Sequence, residues 1–161
     1  MAGAHPPRPS RPGAVPIDLM RQPGHLARRL QQSSYLLWSS IVSDDVTAPQ
    51  LVVLSVLAGA PGIDQRTLGE RASLDRSTVA DIVSRLVRRG LLERLRDPAD
   101  RRRNVLQLTA DGRATLARLA PRTTTLNRVL LAPLDLDEQE ALLQLLGRLV
   151  EAGERLRAKG P

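Results

Sequence analysis

Asp64-Gln65-Arg66-Thr67-Leu68-Gly69-Glu70-Arg71-Ala72, then Ser73-Leu74, then Asp75-Arg76-Ser77-Thr78-Val79 running on to Arg89-Gly90: this stretch decides the fold. The first segment reads as a short helix with Asp64 as its cap. Ser73-Leu74 leaves room only for a tight turn. Asp75 caps a longer helix, Arg76 to Arg89, whose apolar stripe is Val79, Ile82, Val83, Leu86 and Val87. Gly90 ends it as a left-handed residue. A short helix, a tight turn and a capped second helix make a helix-turn-helix pattern.

Beyond Gly90 the period changes. Leu91-Leu92-Glu93-Arg94-Leu95-Arg96 and Asn104-Val105-Leu106-Gln107-Leu108-Thr109 read as strands around a turn-rich tip, residues 97–103. Together they predict a β-hairpin, a wing, directly after the second helix. Thr109 caps a long helix that Pro121 should kink and Pro133 should end. Asp137 is the expected cap of a last helix, from Glu138 to about Arg157. Upstream, His25 to Val42 is helical in pattern. Thr47 caps the next helix, with Pro49 in its first turn and Leu51, Val52, Leu54, Val56 and Leu57 as its buried residues.

The expected class is mainly α: an α+β winged helix of six helices with a two- or three-stranded wing. Residues 1–23 hold six prolines and read as a disordered Pro/Arg-rich arm. Residues 24–46 are an N-terminal dimerisation helix, 47–109 the winged helix, and 110–161 the C-terminal dimerisation helices. Leu26–Ile41, Leu126–Leu131 and Leu142–Val150 are apolar stretches that one small domain could not bury, which is the reason for expecting a homodimer.

Composition removes several classes of function. The 161 residues contain no Cys and two His, both N-terminal, so thiol chemistry, disulfides and a His-based metal site are not expected. No nucleophile–base pair, metal set or cofactor loop stands out, so neither an enzyme nor a bound cofactor is expected. No apolar run approaches the ~20 residues of a membrane span. A cytoplasmic, nucleoid-associated protein is the expectation. The formal net charge of +7 is concentrated. Arg85, Arg88, Arg89, Arg94, Arg96, Arg101, Arg102 and Arg103 fall within 19 residues that hold only Glu93, Asp97 and Asp100 as acids. One-signed charge on a helix end, strand and hairpin tip is the footprint of a surface that meets phosphates.

The order of these elements resembles the MarR family of bacterial winged-helix regulators, over about residues 25–157. The wing carries the most specific part. Asp97-Pro98-Ala99-Asp100-Arg101-Arg102, followed by Val105-Leu106-Gln107-Leu108-Thr109-Ala110-Asp111-Gly112, is similar to the family's D-x-R…L-x-L-T-x-x-G signature. The resemblance implies a homodimer that represses promoters and releases DNA when a small molecule binds. It also places Arg102 at the family's wing-tip arginine.

The residues allow a contact map to be drawn. The start of the second helix enters the major groove in a helix-turn-helix. Arg76, Ser77 and Thr78, with Asp81 and Arg85 further along, are the candidate readers. Arg76 can donate to guanine O6 and N7. Asp75 is a cap rather than a reader. Arg102 is the candidate for the minor groove, flanked by Arg101 and Arg103, with Arg94 on the strand behind. Asp100 is expected to orient an Arg. Tyr35 and Trp38, the only aromatics, sit three residues apart on the first helix. They either wall a flat ligand or fill core and interface. His25, Arg28, Arg29 and Gln32 share that helix, and an Arg beside an aromatic wall suits an aromatic carboxylate or phenol. Residues 25–32 also resemble the opening helix of family members that sense aromatic acids or their thioesters. The leading expectation is a dimeric, ligand-responsive repressor on double-stranded DNA. The alternative is a constitutive or architectural DNA-binding protein with no effector.

Overall fold

A computed structural model describes residues 17–97, 100 and 102–158, without the side chains of 157 and 158. Arg101 and most of the Pro/Arg-rich arm lie outside these residues. The chain divides into two units, 1–33 and 34–161. In the first, Asp18 caps a 3-10 turn, Leu19–Arg21, by accepting from the Met20 N–H at 3.0 Å. Helix α1, Pro23–Ile41, follows and continues into the second unit.

The second unit contains α2 (Ala48–Gly59), α3 (Gln65–Arg71), α4 (Arg76–Arg88), β1 (Leu92–Arg96), β2 (Asn104–Leu108), α5 (Ala110–Leu131) and α6 (Leu136–Ala158). The six α-helices and the antiparallel β1–β2 hairpin match the expected class. The hairpin pairs Leu92 with Leu108 and Arg96 with Asn104. A single bridge from Ile63 to Leu106 stands in for a third strand.

Aliphatic side chains alone fill the fully buried core: Leu54, Leu57, Leu68, Leu86, Leu92 and Leu119 among valines 42, 46, 53, 79 and 83. Each buried Leu or Val contributes about 1.5–3 kcal/mol relative to exposure. On α2 the buried positions are Leu51, Val53, Leu54 and Leu57. Val52, expected inside, is 43% exposed, because the neighbouring Val53 occupies the inward position of that turn. Helix α5 runs through Pro121 as one element. Buried Leu119 and Leu126 hold it against the core on both sides of the proline. No residue of α6 whose side chain is described is buried, and Leu136, Leu143, Leu145, Leu149 and Val150 are all more than half exposed.

Most helix starts follow the expected caps. Thr47 and Gln50 form a reciprocal capping box, and Asp64, Asp75 and Thr109 each accept from amides of the turn they precede. The last helix corrects the expectation. Asp135, not Asp137, is the cap: its carboxylate accepts from the Glu138 N–H at 2.9 Å, and the Glu138 carboxylate accepts from the Asp135 N–H at 3.0 Å.

Two contacts fix the wing. At its base, the Thr109 hydroxyl donates to the Gly90 carbonyl at 2.6 Å and accepts from the Gly112 N–H at 3.0 Å. This draws the first turn of α5 onto Gly90, just past the C-cap of α4. A Cβ on Gly112 would lie 2.1 Å from the Leu91 carbonyl oxygen. Near its tip, the Arg103 guanidinium pairs with the Asp64 carboxylate, which also caps α3 by accepting from the Thr67 N–H at 2.8 Å. The Thr67 amide, the Arg103 hydrogen bond and the Thr67 hydroxyl lower the Asp64 pKa from 3.8 to about 2.

Two measurements check these contacts. Gly112→Ala should lower stability by about 1–3 kcal/mol, the usual cost of forcing an atom into a packed site. The Leu91 carbonyl cannot retreat freely, because it accepts from the Thr109 N–H at 3.2 Å. A urea melt with an unchanged midpoint would contradict the close approach. For Asp64, a depressed pKa means its contribution is complete above the unfolded value and fades as pH falls through the folded one. The melting-temperature gap between wild type and Asp64→Asn should therefore hold at about pH 5 and shrink between about pH 4 and 2. A pH-independent gap would remove the Asp64 charge from the wing's anchorage.

Candidate nucleic-acid interface

Helix α3 and helix α4 meet through a turn that needs two special residues. Gly69 lets the backbones close: a Cβ there would lie 3.2 Å from the Leu74 carbonyl and 3.3 Å from Val79 Cγ1. Ser73 takes a positive φ of 52°, and the Leu74 N–H returns to the Gly69 carbonyl at 2.9 Å. Val79, Ile82, Val83 and Leu86 then seat α4 in the core. That leaves Arg76, Ser77, Asp81 and Arg85 exposed on the opposite side, with Thr78 half-buried.

The Asp75 carboxylate organises the first turn of α4. It accepts from the Ser77 and Thr78 amides at 3.0 and 2.9 Å, and from both of their hydroxyls. These bonds, led by the Ser77 and Thr78 hydroxyls, hold its pKa far below the usual carboxylate range. One consequence was not anticipated from sequence. The Ser77 and Thr78 hydroxyl protons are directed to Asp75, so outward their oxygens present acceptor lone pairs. Arg76 is the side chain of this turn with donors to offer outward. A D-x-S-T run at a helix start carries this signal, since every polar group in it is within reach of the cap.

In the wing, Arg94 lies on β1 opposite Leu106 and is exposed, as are Arg102 and Arg103. Asp100 accepts from the Arg102 N–H at 3.0 Å, so it shapes the turn through the backbone. Arg103 is drawn away from the tip by Asp64. Arg102, the residue expected at the wing tip, is exposed there. Arg101 lies outside the described residues.

The expected ligand residues fall in both units. His25, Arg28, Arg29 and Gln32 are in the first. There His25 is half-buried, Arg28 donates to the Gln32 amide oxygen at 3.1 Å and Arg29 to the Met20 sulfur at 3.4 Å. Tyr35 and Trp38 are in the second and behave differently from each other. Tyr35 is 75% exposed. Trp38 packs against the core, with its indole N–H donating to the Val46 carbonyl at 2.7 Å. A separate cavity of about 860 Å³ opens beside the α3–α4 turn, lined by Gly69, Ser73, Asp75, Arg76 and Glu154, among others. Across it the Ser73 hydroxyl donates to the Glu154 carboxylate at 2.8 Å.

Comparison with known proteins places this architecture. The MarR family model matches residues 44–103, the helix-turn-helix and most of the wing. The transcriptional regulator HosA of Escherichia coli O111:H- is 36% identical over 128 residues, covering 80% of this chain and 94% of its own. The crystal structure of the PcaV transcriptional regulator from Streptomyces coelicolor in complex with its natural ligand is 52% identical. It superposes with a TM-score of 0.83 over 87% of this chain and 99% of that one. BpsR of Bordetella bronchiseptica, whose DNA binding is regulated by 6-hydroxynicotinic acid, is 30% identical with a TM-score of 0.80, over 84% of this chain and 98% of its own. The chain belongs to the MarR family of transcriptional regulators.

Proposed function

We propose that the protein is a cytoplasmic homodimeric repressor that binds a pseudo-palindromic operator and is released by a small aromatic or phenolic ligand. The observation that carries the DNA half is the Asp75-capped first turn of α4, which leaves Arg76 exposed at the end that enters a major groove. Ser77, Thr78, Asp81 and Arg85 complete that face, and Arg94 and Arg102 extend it along the wing. Asp81 suits a cytosine amino group, the one base edge that offers only a donor in the major groove. The exposed leucines of α6 support the dimer, since a second copy is the economical cover for such a face.

The ligand half rests on PcaV and BpsR, each described with a small ligand, and on the chemistry of α1. In this reading Arg28 or Arg29 holds an anion, with His25 and Gln32 as further polar contacts, and Tyr35 and Trp38 supply aromatic surface. A ligand displaces DNA only by its differential affinity for the dimer whose recognition helices are misplaced. The packing of Trp38 on the core favours a second reading at this point, an effector-free DNA-binding protein in which that residue is structural.

Two experiments test these halves. Duplexes selected by the protein from a random pool define the operator. On it, Arg76→Ala should cost about 1–3 kcal/mol and relax the base preference of each half-site. Arg102→Ala should weaken binding and flatten its salt dependence by about one counterion per wing. Unchanged affinity for both variants would remove α4 and the wing from recognition. For the effector, Trp38 is the chain's single tryptophan and reports directly. A panel of benzoates, hydroxybenzoates, cinnamates and their thioesters should contain a compound that changes its emission and dissociates the operator. No response from any member would leave the effector-free reading standing.

A further inference from the structure

The short connection between α1 and α2 is bonded in an unusual way for a surface loop. It begins and ends on core residues, Val42 and Val46, each 1% exposed. Four of its amides are bonded locally. The Val42 and Ser43 N–H groups both donate to the Trp38 carbonyl, at 2.8 and 3.1 Å. The Ser43 hydroxyl oxygen accepts from the Asp45 and Val46 N–H groups, each at 3.1 Å. Its carbonyls are claimed by three other elements. Trp38 on α1 donates to the Val46 carbonyl at 2.7 Å, and Arg122 on α5 to the Val42 carbonyl at 3.2 Å. Arg89, the C-cap of α4, donates to the Asp45 carbonyl. Two of these donors are guanidinium groups, whose charge strengthens a bond to a neutral carbonyl.

We propose that residues 42–46 are a joint that positions the recognition helix, with Trp38, Arg89 and Arg122 as its positioning residues. The loop is stiff because it is bonded internally, so a displacement of the C-terminal half of α1 or of α5 is passed on rather than absorbed. It reaches α4 at its C-terminal end. The reading residues lie at the other end, about 20 Å away along a helix of this length. A small rotation at Arg89 therefore becomes a larger shift at Arg76. Direct contact with DNA or ligand is not needed for Arg89 or Arg122 to act in this way. The proposal rests on α4 being the helix that reads DNA, and extends that reading by naming how its position is set.

The test uses the full-length protein and its Arg89→Met, Arg122→Met, Arg89→Lys and Arg122→Lys variants. Hydrogen exchange in the absence of DNA comes first. Arg122→Met should speed exchange of the amides at 43–46 and 86–90 by roughly threefold to tenfold, while those of α3 stay unchanged. Arg122→Lys, which retains a charged donor, should restore most of the protection. A change confined to α5 would overturn the joint. The second readout is the affinity ratio between a duplex selected by the wild type and a random one. Both Met variants should lower that ratio by roughly threefold to tenfold at an unchanged salt slope, and the Lys variants should recover it. An unchanged ratio would overturn the joint's part in recognition, and a slope reduced by about one per subunit for Arg89→Met would make Arg89 a phosphate contact instead. If the wild type selects no duplex, the repressor reading fails, and the exchange measurement alone still decides the joint.

Discussion

The Asp75 carboxylate sets the interface. Four hydrogen bonds end on it, and they fix where α4 begins. With that start fixed, helical spacing sends Val79, Ile82, Val83 and Leu86 into the core and Arg76, Ser77, Asp81 and Arg85 outward. The carboxylate also neutralises the positive end of the helix dipole. In the proposed reading the start of α4 is thereby a poorer place for a phosphate than for a base edge, with Arg76 beside the cap as the reader. In that reading the two hydroxyls would meet DNA as acceptors for the same reason.

Charge along 85–103 divides between support and recognition. Arg89 and Arg103 are committed within the protein, one to the Asp45 carbonyl and the other to Asp64. Asp64 thus ties three things together: the first turn of α3, the wing and the bridge region at Ile63. The wing is thereby held as a continuation of the helix-turn-helix. Arg76, Arg85, Arg88, Arg94 and Arg102 are among the exposed positive groups on described parts of that unit.

How much of this could be read from the sequence depends on whether an interaction leaves a local pattern. Caps do. Thr47, Asp64, Asp75 and Thr109 precede apolar runs at fixed offsets, and Gly90 sits where a left-handed residue must, with φ 69°. The one cap misplaced, Asp137 for Asp135, lay in a run with two aspartates. The reciprocal spacing of Asp135 and Glu138 decides between them. Val52 and Val53 are equally apolar, so only packing could tell which faces inward. The bonds of Trp38, Arg89 and Arg122 to loop carbonyls had no signature at all, because every residue carries a carbonyl. For Arg103, a wing-tip position and a partner 39 residues away were equally compatible with its charge. The ligand residues were legible as chemistry only. Aromatic and basic side chains on α1 are there, and no sequence pattern says what they surround.

Guanine methylation interference on a duplex selected by the full-length protein tests the central claim most directly. Methylation at guanine N7 blocks the atom that Arg76 is assigned to reach in the major groove. Two guanine clusters should interfere, related by a two-fold axis and centred about 10–10.5 base pairs apart, one for each α4 of a dimer. Interference at a single cluster would contradict the dimer. Binding indifferent to N7 methylation throughout would contradict the reading of DNA by the first turn of α4.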